Sequence, residues 1–373
     1  MNFEFATSTW IVFGPGKLKE IGTIAKPFGQ RAIVVIGKSA KAVERVEPLL
    51  GLLTDNSIEY ATFSVAGEPT IEVVRSETQR ARDERCEFVI SFGGGSVIDT
   101  GKAIAALMTN GGDPLDYVEI IGKGTPIAKP SAPFVAIPTT AGTGAEVTRN
   151  AVLGSPEHCV KISMRSPLML PRVALIDPEL TYDLPPNVTA TSGLDALTQL
   201  IEPFVSVKAN PMTDAICREG MICVGCSLRK AYETGDPSAR EDMAVAAMFS
   251  GMALANAGLG AVHGFAGPIG GMFDAPHGAL CAALLPHVMV MNERAAERSR
   301  RSVTIERFQE VKRAVGDIGE LVQALNIRPL REYGVEAEHF PAIIEKAKAS
   351  SSMKGNPVTL SDEEMSEILE WAL

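Results

Sequence analysis

The stretch Ile90-Ser91-Phe92-Gly93-Gly94-Gly95-Ser96-Val97-Ile98-Asp99 joins a short apolar run to a segment with helical spacing. Glycines at a strand-to-helix junction let backbone N–H groups approach a diphosphate closely, and the helix directs its positive end at the anion. Ser96 can cap that helix and donate to a phosphate oxygen. A structural turn also uses glycine, but three in succession exceed that need. The stretch therefore predicts a nucleotide site, although it is not the G-x-G-x-x-G fingerprint.

Around this turn, uninterrupted apolar runs alternate with helical patterns, as a parallel sheet buried on both faces requires. The predicted strands are Ala32 to Ile36, Phe88 to Phe92, Phe134 to Ile137 and Val173 to Ile176. Helical spacing is found at Ile71 to Glu84 and Val97 to Met108. We predict a Rossmann-like α/β domain with a parallel sheet over residues 1–180.

After residue 180 the strand-like runs stop. Helical spacing dominates Leu194 to Val205, Met212 to Tyr232, Arg240 to Ala257 and Val303 to Leu325. Ser361 and Glu364 form a capping box that opens a last helix. We predict an all-helical domain over residues 181–373, reached through Leu184-Pro185-Pro186.

A second cluster, Ile137 to Thr148, follows another predicted strand and contains Thr139, Thr140 and Thr143. Ligands of open α/β sheets bind at the carboxyl ends of the strands, where these hydroxyls would lie. The cluster fits a nucleotide site, and it fits equally well a loop rich in turn-forming residues.

The helical half contains two histidines in glycine-rich, apolar surroundings, His263 and His277. Upstream, Asp195 and Gln199 lie four apart and share a helix face. These four side chains could surround one divalent ion and leave a position open for substrate. The alternative is that Asp195 is an acid in the first turn of a helix beginning near Ser192, where the helix dipole favours it. Gln199 would then be an ordinary surface residue.

Composition limits the class of protein. The chain has 373 residues, 46% hydrophobic and 21% charged, and a formal net charge of −10. Nucleic acid is an unfavourable partner for such a charge, and no apolar stretch reaches the length of a membrane span. Met1 to Trp10 lacks the pattern of a signal peptide, so we expect a soluble cytoplasmic protein.

The six cysteines have no framework spacing and predict reduced thiols. Cys223-Val224-Gly225-Cys226 reads as C-x-x-C, but it lacks a second pair or nearby histidines. We interpret this pair as small side chains of a helix rather than a zinc or redox site.

Taken together, the motifs resemble the iron-containing (group III) alcohol dehydrogenase family, which has a dehydroquinate synthase-like fold. The resemblance runs through nearly the whole chain. It is carried by Phe13-Gly14, Gly93 to Asp99, Pro138 to Thr148, Asp177 to Leu180, Gly193 to Thr198, His263 and Pro276 to Gly278. It implies an NAD(P)-dependent alcohol dehydrogenase or aldehyde reductase that forms a homodimer and binds a small-molecule alcohol or aldehyde.

The resemblance also implies roles for residues. Asp195, His263 and His277 would be catalytic, and together with Gln199 they would bind the metal, Fe²⁺ or else Zn²⁺ or Mn²⁺. The cofactor, NAD or NADP, would contact Gly37, Gly94, Gly95, Ser96, Asp99, Thr139, Thr140, Thr143, Asn150 and Lys161. The cation would activate the substrate oxygen while a hydride passes between substrate and nicotinamide. The resemblance places this reaction in a cleft where the two halves of the chain meet.

Three departures from the family pattern limit this comparison. The family usually has histidine where this chain has Gln199, and a neutral oxygen ligand would weaken Fe²⁺ or Zn²⁺ binding or leave the site without metal. A further family histidine is Gly267 here, so another group must shuttle the proton. Many relatives have an aspartate after the first strand, whereas Gly37-Lys38-Ser39 permits NADP(H).

The departures leave three alternatives. A metal-independent reductase of the maleylacetate reductase type would use His263 and His277 as acid or substrate binder. A lyase of the dehydroquinate synthase type would use NAD transiently. A non-catalytic relative would bind the nucleotide and turn nothing over.

Overall fold

The computed structural model describes residues 2–119, 121–158, 160–273 and 275–373. These residues form two compact units. One unit contains residues 6–140 and 144–181, and it is called the sheet unit below. The other contains residues 2–5, 141–143 and 182–373, and it is called the helical unit.

A six-stranded, wholly parallel sheet with the order β1-β8-β5-β4-β2-β3 forms the sheet unit. Its strands are β1 (Trp10–Phe13), β2 (Arg31–Gly37), β3 (Glu59–Val65), β4 (Phe88–Gly93), β5 (Phe134–Pro138) and β8 (Val173–Ile176). The four strands predicted from apolar runs are the four central ones, which is what burial on both faces requires. The sequence did not predict the two edge strands, β1 and β3.

The helices of this unit are α1 (Ile21–Ala25), α2 (Ala40–Asp55), α3 (Ile71–Asp83), α4 (Gly95–Asn110) and α5 (Pro114–Tyr117). An antiparallel hairpin, also not predicted, consists of β6 (Asn150–Ser155) and β7 (Val160–Arg165). Of these elements, α4 matters most for a ligand, because it begins directly where β4 ends.

Nine helices among the described residues make up most of the helical unit. They are α6 (Pro186–Val205), α7 (Pro211–Thr234), α8 (Pro237–Ala257), α9 (Ala261–Met272), α10 (His277–Arg298), α11 (Ser302–Val315), α12 (Ile318–Ala324), α13 (Phe340–Ala349) and α14 (Asp362–Ala372). The predicted capping box of the last helix is present, with Ser361 and Glu364 bonded reciprocally. The fold class predicted from the sequence, an α/β domain followed by a helical one, is confirmed.

Two helix boundaries differ from the prediction. The segment Val303 to Leu325 is two helices, because Gly316 adopts a positive φ of 83° and Asp317 caps a new helix. The expected start of a helix near Ser192 is wrong, since α6 begins at Pro186, a favoured first residue. Asp195 therefore lies in the middle of α6 rather than in its first turn.

Among the described residues, no single helix has the length and hydropathy of a membrane span. Only α8 and α9 taken as a pair, bent by 98° at their junction, meet that criterion.

Candidate active site

The glycine turn of the sheet unit lies between β4 and α4. Gly94 is the N-cap residue of α4, and no side chain caps this end of the helix. The prediction that Ser96 caps the helix is wrong, because α4 starts at Gly95 and Ser96 lies within its first turn. The first N–H groups of a 16-residue helix are thus left without a side-chain partner, as anion binding requires.

The start of the second predicted cluster, Ile137 to Thr148, lies beside the glycine turn. Gly93 and Pro138 are paired in neighbouring strands, and Thr139 N donates to Gly93 O at 3.0 Å. A Cβ added at Gly94 would lie 3.4 Å from Thr140 Oγ1. Adjacent β4 and β5 therefore bring the hydroxyl of Thr140 close to the glycine turn.

The other predicted cofactor residues are more widely placed. Gly37 ends β2, the neighbour of β4, while Asp99 on α4 accepts from Val152 N at 3.0 Å. Asn150 begins β6, and Lys161 on β7 pairs with Glu68 at 2.7 Å. Thr143 belongs to the short segment that groups with the helical unit.

Sequence reasoning missed two buried ionisable residues in this unit, Lys102 and Glu146. Lys102 Nζ donates to Ala145 O, Thr148 Oγ1 and Asn150 O at 2.7–2.9 Å. Burial raises the pKa of Glu146 to about 7, and the charge of Lys102 opposes that shift. Lys102 thus ties the Ala145–Asn150 backbone to α4.

In the helical unit, three helices contribute to one cluster. Asp195 on α6 is 2% exposed, and its Oδ1 lies 3.5 Å from His263 Nε2 and 3.8 Å from His277 Nε2. His263 is near the start of α9, and His277 is the first residue of α10. The structure therefore brings together the three residues that the sequence nominated as catalytic.

Glu202 holds the orientation of His263. Its Oε2 lies 2.7 Å from His263 Nδ1, and its Oε1 accepts from Val262 N at 2.6 Å. A carboxylate on one ring nitrogen fixes the tautomer and presents the other nitrogen to a ligand. The role of Glu202 was missed, although its spacing of seven from Asp195 places both on one face of α6.

Cys281 is the second residue of the cluster that was missed. It is fully buried on α10, and its Sγ lies 3.7 Å from His263 Nε2 and 3.6 Å from His277 Nε2. One ligand atom each of Asp195, His263, His277 and Cys281 lies within 4.8 Å of all the others. The spacing of four between His277 and Cys281 was the available signal.

Gln199 is buried beside these residues, one turn after Asp195. Its Nε2 donates to Asp195 Oδ2 at 2.9 Å, and its Oε1 lies 3.4 Å from Ser250 Oγ. At Gly267, the other departure from the family pattern, an added Cβ would meet nothing within 4 Å. Space is therefore open where the family carries a histidine.

The cluster is electrostatically coupled. Burial alone would raise the pKa of Asp195, but the nearby imidazoles of His263 and His277 outweigh burial and lower it. Burial alone would likewise lower the pKa of His263, yet Cys281, Glu202 and Asp195 raise it well above its usual range. Cys281 is the main cause of the raised pKa of His277.

One atom tests whether the cluster suits a cation. Asp195 Oδ1 is buried and has no hydrogen-bond partner, a costly state for a carboxylate oxygen. It faces two imidazole nitrogens and a sulfur, all of which are divalent-metal donors. The described residues of the cluster therefore fit a divalent metal ion.

A parallel-sheet unit with a glycine turn and a helical unit with a cluster that fits a divalent metal ion are the features expected of a nucleotide-dependent oxidoreductase with a metal site. The chain matches the family described as iron-containing alcohol dehydrogenase over residues 8–178, and its C-terminal family over residues 189–373. The chain belongs to the iron-containing alcohol dehydrogenase family, and the predicted class, alcohol dehydrogenase or aldehyde reductase, is confirmed.

Individual relatives support this family assignment. A 1,3-propanediol dehydrogenase of Klebsiella pneumoniae is 34% identical, over 99% of this chain and 98% of the relative. A crystal structure of a 1,3-propanediol oxidoreductase superposes with a TM-score of 0.90 at 32% identity, with both chains fully covered. A sulfoacetaldehyde reductase from Bifidobacterium kashiwanohense, in complex with NAD⁺, gives a TM-score of 0.88 at 28% identity, over 100% of this chain and 99% of that one.

Proposed function

We propose that this chain interconverts small alcohols and aldehydes with a nicotinamide cofactor, and that Asp195, His263 and His277 hold a divalent cation that takes part. The observation that carries the proposal is the partnerless, buried Asp195 Oδ1 facing two imidazoles. A bound divalent cation supplies Lewis-acid polarisation of a substrate oxygen. The cofactor, when bound, exchanges a hydride with the substrate carbon.

The chain's own residues bind, orient and move protons. Gly94, Gly95 and Ser96 present the amino end of α4 to a diphosphate. Glu202 keeps His263 in one tautomer, and Gln199 holds the second oxygen of Asp195. The side chain of His277 is 37% exposed, so solvent can reach it. With glycine at 267, we assign proton exchange to water next to His277.

Cofactor choice is proposed to include NADP(H). No acidic side chain follows β2: Gly37 is succeeded by exposed Lys38, and Ser39 caps α2 by accepting from Ala42 N. A lysine beside a helix amino end favours a 2′-phosphate, which an aspartate would repel. Lys38→Ala is expected to raise KM for NADPH by about tenfold, the cost of one exposed charged contact of ~1.4 kcal/mol, and to leave KM for NADH unchanged. Equal changes for both cofactors would contradict this role of Lys38.

The class of substrate is proposed on chemical grounds. Residues 258–285 include the proposed metal ligands His263 and His277 and contain no lysine or arginine, which favours a neutral alcohol or aldehyde over an anion.

The five described cysteines are free, in keeping with the cytoplasm, while Cys159 lies outside the described residues. The proposal of a homodimer is based on the family to which the chain belongs. The net charge of −10 disfavours nucleic acid as a partner.

The experiment is a panel of aldehydes assayed with NADH and NADPH, using metal-free protein with and without added Fe²⁺, Zn²⁺ or Mn²⁺. We expect metal-dependent oxidation of the cofactor, and a loss of kcat/KM of about 100-fold or more in Asp195→Asn, equivalent to several kcal/mol of lost stabilisation. Asp214→Asn is the control, because Asp214 is a comparably buried helical carboxylate paired with Arg307 instead.

Each alternative has its own result. Full activity of metal-free protein would favour the metal-independent reductase. A product formed without net change in reduced cofactor would favour the lyase. Cofactor binding without turnover of any substrate would favour the non-catalytic relative.

A further inference from the structure

The identity of the fourth metal ligand is open in this chain, because the position that the family fills with histidine is Gln199. Both ends of its amide already face protein groups: Nε2 donates to Asp195 Oδ2 at 2.9 Å, and Oε1 lies 3.4 Å from Ser250 Oγ. Gln199 is 3% exposed, so its side chain is held in this environment. Gln199 therefore orients Asp195.

Cys281 offers another donor atom to the cluster. It lies one helical turn after His277, so both side chains project from the same face of α10. Its Sγ is 3.6 Å from His277 Nε2 and 3.7 Å from His263 Nε2. These are the same two nitrogens that face Asp195 Oδ1, so three helices direct four donors at one point.

The other polar atoms of His263 and Asp195 already have partners, which leaves His263 Nε2 and Asp195 Oδ1 available to a cation. His263 uses Nδ1 for Glu202, and Asp195 uses Oδ2 for Gln199. Asp195 Oδ1 is left buried without a hydrogen bond. A cation among the four donors would satisfy this oxygen, whereas a cation bound by Gln199 Oε1 would compete with the contact of this oxygen to Ser250 Oγ.

We propose that Cys281 Sγ is the fourth protein ligand of the divalent cation and that Gln199 is a positioning residue for Asp195. The inference rests on the proposed function. Binding exchanges the thiol S–H bond for a sulfur–metal bond and releases one proton to solvent, without any change of oxidation state. One thiolate, two imidazoles and one carboxylate favour Zn²⁺ or Fe²⁺ over Mn²⁺ or Mg²⁺.

Cobalt titration of the metal-free protein tests the assignment without any assay of activity. A thiolate ligand gives Co²⁺ an intense near-ultraviolet charge-transfer band, which nitrogen and oxygen ligands do not. Wild-type protein is expected to show this band at one Co²⁺ per chain. Cys281→Ser, which keeps the size of the side chain, is expected to lose the band.

Zinc affinity, measured by competition with a chelator, separates the roles of the two residues. Loss of an outer partner alone costs 10–100-fold in affinity, so Cys281→Ser is expected to lose about 100-fold or more. Gln199→Ala is expected to keep the cobalt band and lose about tenfold. Cys217→Ser is the matched control, because Cys217 is equally buried in the helical unit and outside the cluster.

Several results would overturn the assignment. Tight Co²⁺ binding without the band in wild-type protein would remove Cys281 from the ligand set, and so would a band that persists in Cys281→Ser. A larger loss of affinity in Gln199→Ala than in Cys281→Ser would make Gln199 the ligand. If metal-dependent activity survives such a result, only the ligand assignment fails. If the protein binds no metal, the metal part of the proposed function fails as well.

Discussion

At the scale of single residues, burial decides which charged groups can act. Asp195, Glu202 and His263 are all less than 9% exposed, yet each has a charged or polar neighbour that is also buried. Charged groups are stable in such surroundings only when paired or bound to metal. Removing one member of the cluster should therefore alter the electrostatic environment of the others.

Glu202 provides the first prediction. Glu202→Gln keeps the size and one acceptor oxygen but removes the charge that orients His263. Metal affinity is expected to fall 10–100-fold, measured by chelator competition. Glu367→Gln is the control, because Glu367 is paired with Arg294 on the exposed side of α14. Unchanged affinity in Glu202→Gln would show that this carboxylate does not support the metal site.

Glu146 provides a prediction about pH. Its pKa is about 7 in the folded protein against an ordinary value of 4.5, so the folded state binds more protons than the unfolded state between these values. The free energy of unfolding therefore falls as pH rises through this window, by about 3 kcal/mol for this group. The penalty is fully present above pH 7.

Glu146→Gln cannot ionise and is expected to lack this penalty. Its free energy of unfolding relative to wild type should rise by about 3 kcal/mol between pH 4.5 and pH 8, measured by urea denaturation. Glu157→Gln is the control, because Glu157 is exposed in the same unit. A constant difference between variant and wild type across this range would contradict the burial-induced pKa.

At the scale of elements, the close approach of α4 to the sheet depends on small side chains. A Cβ at Gly101 would lie 2.0 Å from Ser91 Oγ and 2.9 Å from Phe134 Cε2, so α4 could not keep its distance from β4 and β5. Ser91 Oγ itself donates to Val97 O at 2.9 Å. The helix that presents the glycine turn is thus positioned by contact with the strands beneath it.

Gly101→Ala is therefore expected to lower the free energy of unfolding by roughly 1–3 kcal/mol, the cost of overpacking. Gly51→Ala is the matched control, because Gly51 is exposed inside α2 and an added Cβ would meet nothing within 4 Å. That variant should gain roughly 0.5–1 kcal/mol from helix propensity. Chemical denaturation measures both, and equal effects would show that α4 packs less closely than described.

At the scale of the whole molecule, each unit contains the residues proposed for one ligand. The glycine turn lies in the sheet unit, and the cluster of Asp195, His263, His277 and Cys281 lies in the helical unit. A ligand that binds only the folded state stabilises it by about 2.7 kcal/mol at 100 times its Kd. The two ligands should therefore protect different segments of the chain.

Hydrogen exchange followed by mass spectrometry measures this effect. Zn²⁺ is expected to slow exchange in peptides from α6, α9 and α10, and NADPH in peptides from the β4–α4 turn. Asp195→Asn is expected to lose the Zn²⁺ effect and keep the NADPH effect. Protection by Zn²⁺ confined to the sheet unit would place the metal elsewhere.

The order and class of the main elements could be read from the sequence, because burial on both faces requires continuous apolar runs such as Val34 to Ile36 and Val135 to Ile137. The edge strand β3 escaped prediction since its side chains alternate between buried and exposed and include Glu59 and Ser64. Local chemistry also marked the capping box at Ser361, whose hydrogen bonds span only three residues.

The sequence by itself determined the fold class, the glycine turn and the nomination of Asp195, His263 and His277, because each depends on local patterns or on motifs. Only the tertiary structure decided that Cys281 lies among them and that Gln199 turns its amide to Asp195. The physical reason is that three helices, far apart along the chain, converge there, and side-chain distances across such a junction depend on packing that no single segment encodes.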